Sequence, residues 1–433
     1  MRQFPSEIRK ILNAPDIPPL KAREYFPDLK VRHVILVILD GTSYRVLNQA
    51  YMPFIHKLKA NGTEFNNCRT SFPTITGSAH TSINTGTYPE QHGFGLPLSY
   101  RNGQMVTARS RDGFSGYVSE ALRQSGLSTA SIADATMQGA MCYLSVEFFG
   151  HSIERGGELA RWTLKTLRPS LLSVTFYAPD TLNHLYGPEN EHTLLALEHI
   201  DHELKLVAET LDELGLLADT VFIITSDHGH ADSSKPVNEI FLDFGERGQI
   251  YVPNLRSIAL YDPMDRILAD LEGLDAVECI LDHGELEVLG YHALESEYVA
   301  CLRPGHGWHE DEPSLGNHGG ITIDERHVPL IISSPRLKAG SVDSVVDTID
   351  IAPTISALLG AKFLPSYQGR ILSEIIDHEH ASDDLVREIT EMRTQRELSL
   401  ESIRSNKVIE ADQLRELSSQ RRSLEREYQA TLD

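Results

Sequence analysis

The sequence predicts an α/β fold, a doubly wound and mostly parallel sheet with helices on both faces, on three observations. The first is a set of short apolar runs rich in β-branched residues: "HVILVILDG" (33–41), "LLSVTFYAPD" (171–180) and "VFIITSDHGH" (221–230). Continuous apolar strands of this length belong to sheets covered on both faces. The second is alternation, because helix-patterned segments such as "GYVSEALRQSG" and "TLLALEHIDHELKLVAETLDELG" lie between the runs. The third is that an aspartate stands at or near the carboxyl end of each run, the edge at which such sheets collect ligands.

The remaining segments extend this frame. Residues 1–30 read as an amino-terminal extension, and 31–239 with 313–378 as the core. Residues 240–312 read as a small α+β insertion or cap. In it "RSIALYD", "AVECILD" and "LEVLGYH" look like strands, and "PMDRILADLEGL" looks like a helix. The α/β pattern resumes at "HVPLIISSP" and "VDTIDIAPTISALLG". Residues 379–433 form a charged tail without Gly or Pro. Leu385, Ile389 and Met392, then Leu414, Leu417, Leu424 and Tyr428, fall at helical spacing there. The heptad breaks near 396–403, which disfavours one long coiled coil. Helices folded back on the core, self-association and a partner interface are the open readings of this tail.

Composition narrows the function classes. The chain has 433 residues, with 39 Lys+Arg against 62 Asp+Glu, for a formal net charge of -23. Such an acidic surface repels nucleic acid polymers. A small anionic substrate remains compatible, since bound metal reverses a local field. The 19 histidines make metal ligands worth seeking. Cys68, Cys142, Cys279 and Cys301 show no C-x-x-C pairing, so neither a disulfide framework nor a thiolate zinc site is expected. No signal-peptide pattern opens the sequence and no apolar run spans a bilayer, so the expectation is a soluble cytoplasmic protein without a membrane partner.

The strand ends carry the candidate chemistry. Asp40 precedes Gly41, and Asp227 adjoins His228 in "SDHG". Asp180 and His184 are four apart in "PDTLNHLYG", so a helix there puts both on one face. His318 sits between small residues in "LGNHGG". Three carboxylates and three imidazoles suit zinc better than an all-oxygen ion, and six ligands suffice for two metals. Two metals can stabilise both oxygens of a phosphoryl displacement. "FPTITGSAH" (72–80) supplies two hydroxyls, Thr74 and Thr76, each a poor nucleophile until its pKa is lowered. Its small residues suit a helix amino terminus that receives phosphate.

In order, "VILDG", "PTITGSAHTSINTGTYPEQHG", "PDTLNHLYGP", "TSDHG" and "GNHGG" resemble the alkaline phosphatase superfamily, most closely its nucleotide pyrophosphatase/phosphodiesterase branch. The resemblance runs from about 33 to 375, including the closing "DTIDIAPTISALLG" and "PSYQGRIL". It implies an alkaline phosphatase-like fold and a two-Zn2+ hydrolase with a phospho-threonine intermediate; another divalent ion is an option in one site. Carried over, Asp40, Asp227 and His228 hold the nucleophile-side ion, and Asp180, His184 and His318 hold the second. Thr76 is four before His80 and ten before Gly86, the branch's spacing for its nucleophile, so Thr76 takes that role with Thr74 in reserve.

One departure stands out. The branch places an asparagine about 21 residues beyond the nucleophile, where this chain has Pro97. Asn102 or Asn67 is the candidate substitute as substrate donor. His306, His309 and Glu310 are candidates for a further metal, Lys235 for a phosphate contact, and His92 for a structural role. The expected function is cleavage of phosphodiester or nucleotide pyrophosphate bonds in a small phosphorylated substrate. A phosphomonoesterase or phosphonate hydrolase is the alternative on the same scaffold. A non-catalytic scaffold protein assembling through its helical tail is the alternative of another class. The C/S-x-P-x-R motif of a sulfatase is absent near 70–80.

Overall fold

The computed structural model describes residues 29–432 except 102–103, 108–113, 115, 135, 141, 145–151, 264, 292–295, 310–313, 377–382 and 406–410. From its amino terminus the chain lays down β1 (His33–Leu39), β2 (Gly62–Phe65), β3 (Thr129–Ile132), β4 (Cys142–Leu144), β5 (Leu171–Phe176) and β6 (Thr220–Thr225). Four strands of a separate sheet follow: β7 (Ile250–Asn254), β8 (Ser257–Tyr261), β9 (Val277–Leu281) and β10 (Tyr298–Leu302). The chain then returns with β11 (Leu330–Ser333) and β12 (Gly340–Val342). The central sheet has the order β12-β2-β11-β6-β1-β5-β3-β4. Its pairings are parallel except those of β11 with β6 and with β2.

The three aspartate-tipped runs are β1, β5 and β6, and they are neighbours, with β1 in the middle. Alternate residues of β1 enter two different cores. Val34, Leu36 and Ile38 pack with α2 (Val118–Gln124) and α8 (Ile351–Leu358). Ile35, Val37 and Leu39 pack with α3 (Ile153–Thr166) and α5 (Glu191–Glu213). That division is the physical meaning of a strand apolar on both faces.

The smaller sheet, ordered β7-β8-β10-β9, is antiparallel and carries α6 (Asp265–Glu272). One expectation fails within it. "LEVLGYH" is not a strand: α7 (His283–Val288) occupies its first half. The cause is a capping box, in which the Asp282 side chain accepts from Glu285 N and Glu285 accepts from Asp282 N. Strands β7 and β10 supply the pairing instead.

The tail forms α9 (Asp383–Arg404) and α10 (Ala411–Leu432), and both pack on the core. Ile389, Met392, Leu417, Leu424 and Tyr428 are buried in the same cluster as β1. Leu400 is buried with the insertion instead. All four cysteines are free. Among the described residues, no helix is long and apolar enough to cross a membrane.

Candidate metal centre and nucleophile

The site grows from the level ends of β5, β1 and β6. Leu39 pairs with Phe176 and Ile38 with Thr225, so the residues that follow these strands emerge side by side. Asp40 N donates to Phe176 O at 3.1 Å, and Thr42 N donates to Ser226 Oγ at 3.0 Å. Gly41 turns the chain with φ +74°, and a Cβ there would lie 2.7 Å from the Asp180 backbone and from the His230 ring. Only glycine lets these three segments meet. Asp180 stands in the first turn of α4 (Ala178–Tyr186), and His184 follows one turn later on the same face.

Four imidazoles are oriented in one way. His184 Nδ1 lies 2.9 Å from Gly316 O, His318 Nδ1 2.8 Å from Thr74 O, His230 Nδ1 3.2 Å from Gly41 O and His228 Nδ1 3.3 Å from Gly229 O. Each Nδ1–H donates to its carbonyl, which leaves Nε2 free as an acceptor or ligand. The Nε2 atoms of His184, His230 and His318 lie 3.4, 3.3 and 3.7 Å from Asp180 Oδ1. His228 Nε2 lies 3.2 Å from Asp227 Oδ2 and 3.8 Å from Asp40 Oδ1. Asp227 Oδ1 is taken up by the amides of Gly41 and His228, so Oδ2 is the oxygen turned to the cluster.

Ligand-capable atoms gather into overlapping groups: Asp180 with His184, His230 and His318; Asp40 with His80 and Asp227; and Asp40 with Asp180 and His228. All six residues singled out from the sequence lie in this cluster, together with His230 and His80. His80 Nε2 is 3.5 Å from Asp40 Oδ2 and 3.6 Å from Asp227 Oδ2, while Nδ1 is 3.2 Å from Asp134. Asp134 is fixed by Asn84 Nδ2 and by Thr136. A clue to His230 was present in "SDHGH", one residue past the motif. Asp134 follows β3 and reaches the site only because β3 lies beside β5.

The electrostatics are those of carboxylates buried close to one another. Burial, then repulsion from Asp227 and Asp180, pushes Asp40 well above the usual carboxylate range. Burial raises Asp180 too, but attraction from His184 and His230 outweighs it and holds Asp180 well below that range. Burial keeps His228 and His318 well below the usual imidazole value, hence neutral. Both Asp40 oxygens, Asp180 Oδ1, Asp227 Oδ2 and His230 Nε2 are buried without a hydrogen-bond partner. Carboxylates and imidazoles converging in this way fit a divalent cation, and the mixed oxygen–nitrogen set fits zinc.

Thr76 opens α1 (Thr76–Thr85), and its Oγ1 lies 3.1 Å from His228 Nε2. Thr74 is committed elsewhere: its hydroxyl donates to Gly320 O and accepts from Gly319 N, both at 2.9 Å, and its carbonyl receives His318. Thr74 therefore holds the His318 loop. The other candidates lie apart from the cluster or are otherwise occupied. Pro97 is exposed, and Asn67 Nδ2 donates to Asp343 O; Asn102 is outside the described residues. His92 Nε2 meets Ser82 Oγ at 2.9 Å. His309 Nε2 lies 2.6 Å from Ser233 O, and Lys235 is exposed. His306 and His309 belong to no ligand group among the described residues, and Glu310 is outside them.

A profile of the type I phosphodiesterase / nucleotide pyrophosphatase family matches residues 34–95 and 110–275, more than half of the chain. The chain belongs to this family. Among its relatives, mouse bis(5'-adenosyl)-triphosphatase enpp4 is 25% identical over 370 residues, covering 78% of this chain and 80% of that protein. Human ectonucleotide pyrophosphatase/phosphodiesterase family member 1 is 28% identical over 219 residues, covering 46% of this chain and 24% of that protein. A solved structure of murine ectonucleotide pyrophosphatase/phosphodiesterase 5, an inactive threonine-to-alanine variant in complex with AMP, is similar with a TM-score of 0.67 at 18% identity. It covers 80% of this chain and 100% of that one. The shared fold is alkaline phosphatase-like.

Proposed function

We propose that this protein is a metal-dependent hydrolase of phosphodiester or nucleotide pyrophosphate bonds, acting through an ester on Thr76 at a site for two zinc ions. The observation that carries the reading is the cluster of buried, unpartnered Asp and His atoms beside the Thr76 hydroxyl at a helix amino terminus. Asp40, Asp227 and His228 would hold the ion facing Thr76; Asp180, His184 and His318 would hold the second. Bound there, divalent cations supply the charge that acidifies a hydroxyl and stabilises the attacking and leaving oxygens.

The chain's own residues do the rest. His228, kept neutral by burial, offers Nε2 to the ion, and Thr76 Oγ1 lies 3.1 Å from that nitrogen, so the hydroxyl stands beside the same ion position. The first amides of α1 face an incoming phosphoryl group. Thr76 Oγ1 gives up its proton and attacks phosphorus, the P–O bond breaks and the leaving oxygen departs with a proton, and water then hydrolyses the threonine ester, its oxygen going to phosphorus and a proton restoring the hydroxyl. The relatives' names support a nucleotide substrate, including a dinucleoside triphosphate.

The test is a zinc-supplemented panel of aryl phosphodiesters, aryl phosphomonoesters, diadenosine triphosphate and phosphonates, with metal analysis of the purified protein. Diester and dinucleotide cleavage by protein carrying two divalent ions is the expected result. A metal-free protein, or one that turns over only monoesters or phosphonates, overturns the reading.

A further inference from the structure

The family resemblance assigns three ligands to the second ion, Asp180, His184 and His318, but the structure places a fourth beside them. We infer that His230 is a direct ligand of that ion, giving it one carboxylate and three imidazoles. This inference rests on the two-metal reading above.

Three observations carry it. The His230 imidazole is buried, with Nε2 lacking any hydrogen-bond partner. Its Nδ1–H is spent on Gly41 O, which aims Nε2 at the cluster, as a ligating histidine requires. The separations from Asp180 Oδ1 to Nε2 of His230, His184 and His318 are 3.3, 3.4 and 3.7 Å. Four ligands around zinc at about 2.0–2.1 Å stand apart by roughly 3.3–3.4 Å along the edges of a tetrahedron, so these spacings suit one shared ion. Gly41 is the backbone condition, since a side chain there would strike the His230 ring.

The consequence is two unequal ions. Four protein ligands complete the shell that zinc adopts in tightly held sites, whereas an ion that activates the Thr76 hydroxyl needs a position open to a reactant. The Asp180 site therefore retains its ion, and the Thr76-side ion exchanges first when a chelator is added. Chemistry that needs an open position falls to the Thr76 side.

The experiment compares wild type with His230→Ala and His230→Cys, using zinc content during timed chelation and the visible spectrum of the cobalt-substituted protein. For wild type we expect two ions lost in two phases and the intense absorption of four-coordinate cobalt. In His230→Ala the slow phase should accelerate more than about 100-fold, beyond the roughly 10–100-fold cost of losing a merely supporting partner. His230→Cys, whose thiolate can ligate, should recover most of the slow phase. An unchanged slow phase and cobalt spectrum in His230→Ala, with two ions still bound, overturns the inference and leaves the two-metal reading standing. Wild type that binds no zinc or cobalt overturns both. Retention of one ion by His230→Ala shows that the fold survived.

Discussion

Two clusters of buried charge in this molecule are treated in opposite ways. At the strand ends, Asp40, Asp180, Asp227 and their histidines turn ligand atoms toward one another with no chain partner between them. Under the tail, Arg393 and Arg396 of α9 are equally buried, but each meets a carboxylate. Arg393 reaches both oxygens of Asp350 at 2.6 and 3.1 Å, and Arg396 reaches Asp347 at 2.9 Å. Tyr88 adds a hydroxyl to Asp347 at 2.5 Å. A buried charge persists only when something neutralises it. The tail clamp is closed by the chain itself and holds the fold. The strand-end cluster leaves its ligand atoms without a hydrogen-bond partner among the described residues, and that separates a candidate site from a brace.

The contrast breaks first at Thr76. Thr76→Ala should lower phosphodiester turnover by about 1,000-fold or more while zinc content stays at the wild-type level, as removal of a nucleophile does. Retained turnover in this variant places the nucleophile elsewhere.

Next in size is the clamp. Asp347→Ala leaves Arg396 and Arg393 buried without one of their partners. It should cost about 3–5 kcal/mol in denaturant unfolding, with bound zinc unchanged in the folded protein. A cost below about 1 kcal/mol makes the clamp ornamental.

Metal removal acts on the other cluster. Restoring zinc to 100 times its Kd should recover about 2.7 kcal/mol of stability, seen as a higher Tm in calorimetry. Asp40→Asn together with Asp180→Asn should abolish that gain. A Tm indifferent to zinc in wild type contradicts the account of the strand ends.

The clamp should also carry a pH signature. Burial pushes the Asp347 carboxyl up, but Arg396, Arg393 and Tyr88 outweigh it and hold it well below the usual range. A depressed carboxylate adds stability that is complete above its unfolded value of about 4 and is lost as pH falls toward the folded one. Between pH 5 and 2 (about the range where carboxylates titrate), wild type should lose stability more steeply than Asp347→Asn. The smallest effect is expected at Thr74. Thr74→Ala leaves the Gly319 amide without its acceptor and should cost about 1–3 kcal/mol while turnover stays within tenfold.

The three central strands were legible because each announces itself locally, in a run of six or seven mostly apolar residues with an aspartate within a few positions of its end. The strand-end ligand candidates were legible for the same reason, since Asp40, Asp180, Asp227 and His228 lie within a few residues of a strand. His80 was visible only as a counting mark from Thr76, because its proximity to Asp134 depends on β3 lying next to β5. His230 was hidden by reading "SDHG" as the end of the motif. The "LEVLGYH" segment misled because apolar alternation competed with a local D-x-x-E cap, and the cap won. In the tail the apolar stripe was readable. Nothing local marks Arg393 and Arg396 as buried, because their partners lie more than forty residues away in sequence.

The most direct test of the central claim is acid quenching of the zinc-loaded protein during turnover of an aryl phosphodiester, followed by peptide mapping. The account predicts a phosphoryl ester on the peptide containing Thr76, assigned to that residue by fragmentation and absent from Thr76→Ala. Steady turnover with that peptide unmodified, or with the ester on Thr74, would contradict it.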